Sequence, residues 1–135
     1  MVIILKYLWL IIILLLGSCQ KPDILVIKPT LYPCYGLNEK TKVLELIYVE
    51  YEIIDEQDIF KLFTNKQNHL PLGYISYGNG NIGLVSSKVI DNEIYYYVDR
   101  YIYLSDYDKF YNQMLMTAKL YNFTNIYIYL NGKKL

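Results

Sequence analysis

At 135 residues the chain has room for one domain, and its 13 basic residues are balanced by 13 acidic ones. No basic block or stripe stands out. The electrostatic footprint of a nucleic-acid binder is therefore missing, and no nucleic-acid partner is expected. Tyrosine is abundant, with 17 residues, but Ile, Asn and Lys are plentiful too, so AT-rich codon usage explains it before selection for a tyrosine surface does.

The chain opens on an apolar run, Met1 to Leu16, broken only by Lys6. Lys6 and the amino terminus form a weak charged region, and Tyr7 to Leu16 an apolar stretch of secretory-signal length. Gly17 and Ser18 supply small residues before Cys19. A spanning helix needs about 20 apolar residues, so a retained anchor would have to let Lys6 snorkel.

The segment Leu15-Leu16-Gly17-Ser18-Cys19 resembles the lipobox of bacterial lipoproteins. That resemblance implies cleavage before Cys19, a diacylglyceryl group on its thiol and a further acyl chain on the freed amine. Two or more chains anchor a protein stably where one is marginal. Gln20, not Asp, follows the cysteine, so the inner-membrane retention signal of enteric bacteria is absent and the outer membrane is the expected address. Gln20-Lys21-Pro22-Asp23 reads as an ordinary tether. With Cys19 acylated, Cys34 stands alone; a buried inert thiol is the plain reading and an intermolecular disulfide the sharper one.

The expected organisation is a signal peptide over 1–18, a tether and irregular entry over 19–41, and an α+β domain over 42–135. Ile24 to Ile27 could be an edge strand ended by Pro29. Lys42 to Ile54 is a strand, apolar on both faces early and acidic on one later. Asp55 to Asn68 is a helix capped by Asp55 and stopped by Pro71, with Ile59, Phe60, Leu62 and Phe63 facing the core. Leu72 to Tyr77 and Ile82 to Ile90 read as a hairpin about Gly78-Asn79-Gly80-Asn81. A turn at Asp91-Asn92 leads into a strand from Glu93 to Leu104. A helix follows from Ser105 with Asn122 as terminator, and a last strand runs from Asn125 to Leu130. A strand, a long helix and a strand make a parallel crossover. The fold class is α+β: a mostly antiparallel sheet of about five strands with two helices on one face, ending in a strand-helix-strand unit. Past residue 19 no family motif is legible.

Chemistry is scarce. His69 is the one histidine and offers neither a triad nor a metal pair. Glu50 and Glu52 share a strand face near Glu45, but read as solvated charges rather than a glycosidase pair. Gly78 to Gly83 lacks the Lys and the following helix of a phosphate loop. One feature stands above background: Tyr95, Tyr97, Tyr101, Tyr127 and Tyr129, with Tyr103, should project from neighbouring strands opposite the Ile/Val face. Tyr suits sugar or protein contacts, although cross-strand pairing alone could account for the pattern.

The expected function is a small lipid-anchored cell-envelope protein with a non-catalytic binding or structural role. No enzyme activity, cofactor or metal is expected. Its partners would be the membrane, through lipid on Cys19, and another envelope protein or a glycan. Two alternatives stay open: an immunity lipoprotein neutralising a periplasm-targeted toxin, and a single-pass membrane-anchored envelope protein without lipidation.

Overall fold

The computed structural model describes residues 29–80, 82–99 and 104–135. The expected signal, lipobox and strand at Ile24 to Ile27, together with Tyr101, Ile102 and Tyr103, lie outside these residues. In chain order the elements are β1 (Tyr32–Asn38), β2 (Leu44–Val49), α1 (Glu56–Thr64), β3 (Tyr74–Ile75), β4 (Leu84–Ile90), β5 (Glu93–Val98), α2 (Leu104–Leu120), β6 (Asn125–Leu130) and β7 (Lys133–Lys134). The protein is α+β, mostly antiparallel, and closes on a strand-helix-strand unit. Its strands divide between two sheets rather than forming one: β2-β1-β3 and β4-β5-β6-β7.

Two expectations are corrected. The stretch 19–41, read as tether and irregular entry, contains β1, the central strand of the first sheet. Pro33 concealed it, yet β1 pairs with β2 from Tyr32 to Leu37, and Cys34 and Leu37 enter the core. The hairpin between 72–77 and 82–90 does not form. β3 pairs with β1, while β4 pairs with β5. The glycine segment between them is drawn to the end of α1, whose last carbonyls need donors. Gly80 N–H donates to Thr64 O at 2.8 Å, and Ser76 Oγ to Phe63 O at 2.6 Å. A Cβ at Gly78 would lie 2.8 Å from Phe63 O, so the close approach requires glycine.

The helix ends follow local chemistry. Asp55 caps α1 in a reciprocal box: its carboxylate accepts from Asp58 N–H at 3.1 Å, and Asp58 accepts from Asp55 N–H at 3.3 Å. The helix stops at Thr64, well before Pro71. α2 ends at Leu120 and is closed by Asn122 (φ 69°), with Phe123 N–H on Ala118 O and Asn122 N–H on Lys119 O, the two bonds of a Schellman close. Asp91 and Asn92 both take positive φ (51° and 64°) and make the expected tight turn between β4 and β5.

The core lies between the sheets and the two helices. Ile94, Tyr96, Val98, Ile126 and Ile128 are buried beneath Ile59, Phe60, Phe63, Phe110, Met114 and Ala118. Phe60 sits at the junction, its ring centroid 4.9 Å from Tyr96 and 6.1 Å from Phe110. β2 is shorter than expected and buries one face only: Ile47 and Val49 are inside, Leu46 and Tyr48 outside.

α2 also completes β1. β3 pairs only with Leu37 and Asn38, so among the described residues the earlier part of that edge of β1 has no neighbouring strand. Side chains of α2 take its place. Tyr35 N–H donates to Thr117 Oγ1 at 2.9 Å, Gln113 Nε2 donates to Tyr35 O at 3.1 Å and Ile75 O at 3.2 Å, and Tyr121 OH donates to Pro33 O at 2.7 Å. Gln113 and Thr117 are fully buried, where an unmade hydrogen bond is costly. Thr117→Val, nearly the same in volume, should therefore destabilise the fold by about 1–3 kcal/mol through the orphaned Tyr35 N–H. Urea unfolding should show a lower midpoint at unchanged slope; no change in midpoint would show that this bond is dispensable.

Candidate binding face

β5 and β6 run parallel in register, pairing Tyr95 with Tyr127 and Tyr97 with Tyr129. Period-two alternation sends these four rings to the face opposite the helices. All four are half-buried, whereas the intervening Ile94, Tyr96, Val98, Ile126 and Ile128 are buried. Aliphatic burial beneath the helices decides the orientation, since each such side chain is worth roughly 1.5–3 kcal/mol inside.

The rings stack. Centroids of Tyr95 and Tyr127 are 5.0 Å apart at 24°, those of Tyr97 and Tyr129 5.6 Å at 24°, and those of Tyr95 and Tyr129 6.4 Å at 22°. A lysine closes each side. From β4, Lys88 Nζ lies 5.4 Å from the Tyr95 centroid and 5.8 Å from that of Tyr97. From β7, Lys134 Nζ lies 5.0 Å from the Tyr127 centroid. The result is a lysine-tyrosine-tyrosine-lysine ladder across four strands, held by stacking and cation–π attraction. At one end Glu93 accepts weakly from the hydroxyls of Tyr95 (3.5 Å) and Tyr127 (3.4 Å), and Asn125 Nδ2 donates to Tyr127 OH at 3.2 Å. Desolvation, then the Glu93 carboxylate and the neighbouring phenols, hold the Tyr95 hydroxyl above its usual pKa.

This packing decides what the face can offer. The ring faces are engaged by each other and by ammonium groups. What remains for a partner is a row of ring edges and hydroxyls with lysines alongside. Such a surface suits hydrogen bonding and edge contact more than the stacking of a sugar or a base onto an open ring.

The face unites Tyr95, Tyr97, Tyr127 and Tyr129; Tyr101 lies outside the described residues. Lys88 and Lys134 escaped sequence reading, although the signal was there. The turn at Asp91-Asn92 sets Lys88 opposite Tyr95, and Asn131-Gly132 supplies the turn that sets Lys134 opposite Tyr129.

Elsewhere His69 is half-buried, its ring 4.9 Å from that of Tyr51. It lines an open groove of about 380 Å³ with Leu31, Tyr48, Glu50 and Pro71. Glu45 does not join Glu50 or Glu52 in a dyad; it accepts from Tyr74 OH at 2.6 Å and from Asn38 Nδ2 at 3.3 Å. Ser87 Oγ donates to Glu56 and Ser76 Oγ to a helix carbonyl, so neither is poised as a nucleophile. Among the described residues no three His, Cys, Asp or Glu side chains cluster as metal ligands, and no helix is long and apolar enough to cross a membrane. No family model, curated protein or solved structure matches the chain.

Cys34 is fully buried, and burial pushes its thiol up to about 12. The thiolate is the reactive form, so iodoacetamide at about pH 8 should leave Cys34 unmodified in the folded protein and label it in urea. Labelling at equal rates in both would mean that β1 opens readily.

Two tyrosines share that behaviour. Burial, then the Cys34 and Tyr32 groups, pushes Tyr121 up to about 12, and burial, then Glu56 and Asp55, holds Tyr96 well above its usual value. All three groups are neutral when protonated, so the folded state binds these protons more tightly than the unfolded chain. Their stabilisation is complete below the unfolded values of 9.0 for Cys and 10.0 for Tyr, and is lost as pH rises through the folded values. The urea midpoint should hold steady to about pH 9 and fall from there through about 12. Tyr121→Phe should lower the midpoint at neutral pH and reduce the alkaline decline; an unaltered decline would remove Tyr121 from the account.

Proposed function

We propose that this chain is a small lipid-anchored cell-envelope protein whose folded domain has a non-catalytic binding role, exercised through the tyrosine ladder. The observation that carries this reading is the set of four half-buried, mutually stacked tyrosines on the sheet face turned away from both helices. A ring already fixed by its neighbours loses little further freedom on binding, and Tyr brings large contact area with only two side-chain torsions. The engaged ring faces favour another envelope protein over a glycan as the partner. The anchor belongs to the same reading and rests on the lipobox-like Leu16-Gly17-Ser18-Cys19.

Two experiments test it. A photo-crosslinking residue placed at Tyr97 or Tyr129 in intact cells should yield a discrete adduct, and the same residue at His69 should not. Adducts from His69 alone, or from none of the three, would refute the ladder as the contact face. Tyr97→Ser with Tyr127→Ser should abolish the adduct formed from position 129 while the far-ultraviolet spectrum stays unchanged; unfolding of that variant would make the tyrosines structural. For the anchor, labelled palmitate should enter the wild-type chain and not Cys19→Ala. An unlabelled wild-type chain would overturn lipidation.

A further inference from the structure

β4 is an edge strand: the second sheet runs β4-β5-β6-β7, and among the described residues no strand pairs with the outer side of β4. The turn at Asp91-Asn92 determines which of its backbone groups are free. Ile90 and Glu93 flank a two-residue turn with both φ positive, so they form a hydrogen-bonded pair, and the alternation makes Lys88–Tyr95 another. The N–H and C=O groups of Ser87 and Val89 consequently point away from β5, toward solvent.

Such edges are usually guarded by charge or irregularity. Lys88 is the only charged residue of β4, but its ammonium is turned inward over the rings of Tyr95 and Tyr97. The register irregularity falls between Leu84 and Ser86, leaving Ser86 to Ile90 regularly paired with β5. The strand is also apolar beyond need: Val85 is 67% exposed, Val89 41% and Ile90 47%.

The sequence of the strand is self-complementary. Leu84-Val85-Ser86-Ser87-Lys88-Val89-Ile90 reads apolar, apolar, polar, polar, polar, apolar, apolar in either direction about Ser87. An antiparallel pairing of two copies centred on Ser87 places Val85 of each against Val89 of the other, and Lys88 against Ser86. It also joins the outward-facing backbone groups of Ser87 directly. A register centred on Lys88 would set the two lysines against each other, and one centred on Ser86 would set Val85 against Ser87. A twofold interface must be self-complementary, and only the Ser87 register satisfies both the apolar and the charged positions.

We infer that β4 pairs antiparallel with β4 of a second copy of this chain, in the register centred on Ser87, joining the two four-stranded sheets and their tyrosine ladders into one continuous face. This pairing goes beyond the binding role of the ladder, and its failure would leave that reading standing. A single strand edge buries less surface than a stable dimer usually does, so covalent trapping is the suitable readout.

The test uses the full chain in detergent with Cys19→Ser, so that an introduced cysteine is the accessible thiol, Cys34 being buried. Opposed residues in the hydrogen-bonded register lie about 5.5 Å apart at Cα, within disulfide reach. Under mild oxidation Ser87→Cys should form a disulfide-linked dimer at least tenfold faster than Lys88→Cys. Adding Val89→Lys or, separately, Val85→Lys to Ser87→Cys should slow trapping by a similar factor; circular dichroism identifies whichever of the two stays folded. A Ser87→Cys chain that remains monomeric, equal trapping at positions 87 and 88, or an undiminished rate in the folded lysine variant would each overturn the pairing.

Discussion

The architecture depends on how α2 serves two sheets. One side of the helix is apolar and presses Phe110, Met114 and Ala118 into the core that both sheets share. An adjacent side carries Gln113, Thr117 and Tyr121, whose polar groups meet the backbone edge of β1. A strand edge deep in a protein must find donors and acceptors, and a two-residue β3 cannot supply them all. Side-chain hydrogen bonds from the helix do what another strand would have done. Among the described residues, that substitution lets the first sheet stop at three strands and sit beside the second without merging into it. Tyr96 makes a comparable link on the other side of the core, donating its hydroxyl to Glu56 O at 2.5 Å and tying β5 to the first turn of α1.

Much of this was legible because period and caps agree. β5, β6, α1 and α2 show clear alternation or helical spacing, and Asp55, Asp91-Asn92 and Asn122 mark their boundaries by recognisable chemistry. Three things were not legible. β1 carries Pro33 and Gly36 and has little alternation; it is a strand because β2 and α2 hold it there. Gly36 is tolerated because Ile47 and Tyr74 fill the space over it. The glycine segment at 78–80 had the composition of a hairpin turn, but the carbonyls at the end of α1 outcompeted that local preference. The division into two sheets followed from both, since no periodicity reports which strands become neighbours. Of the candidate face, alternation revealed the tyrosines, while the lysines and Glu93 needed the strand register.

The ladder shows how one arrangement can stabilise a sheet and present a surface. Four phenols stacked across parallel strands shield one another's faces from water, and the flanking lysines extend their aliphatic stems beside them. Each stacked pair is worth about 0.5–1.5 kcal/mol beyond simple burial, so the outer face of this sheet is itself a source of stability. The hydroxyls at the ring tips remain a patterned set of donors and acceptors on a rigid base.

The contacts between α2 and β1 join distant parts of the chain: Tyr35 and Thr117 are 82 residues apart, and Pro33 and Tyr121 are 88 apart. Closing loops of that size is entropically slow, and non-local topologies fold late. During synthesis β1 leaves the ribosome early, and the side chains that satisfy its edge follow only when the chain is almost complete. The nascent polypeptide therefore has no finished sheet to settle into until its last quarter has emerged. A chain built in this way acquires its finished architecture in one late step, near the end of synthesis, rather than strand by strand as it emerges.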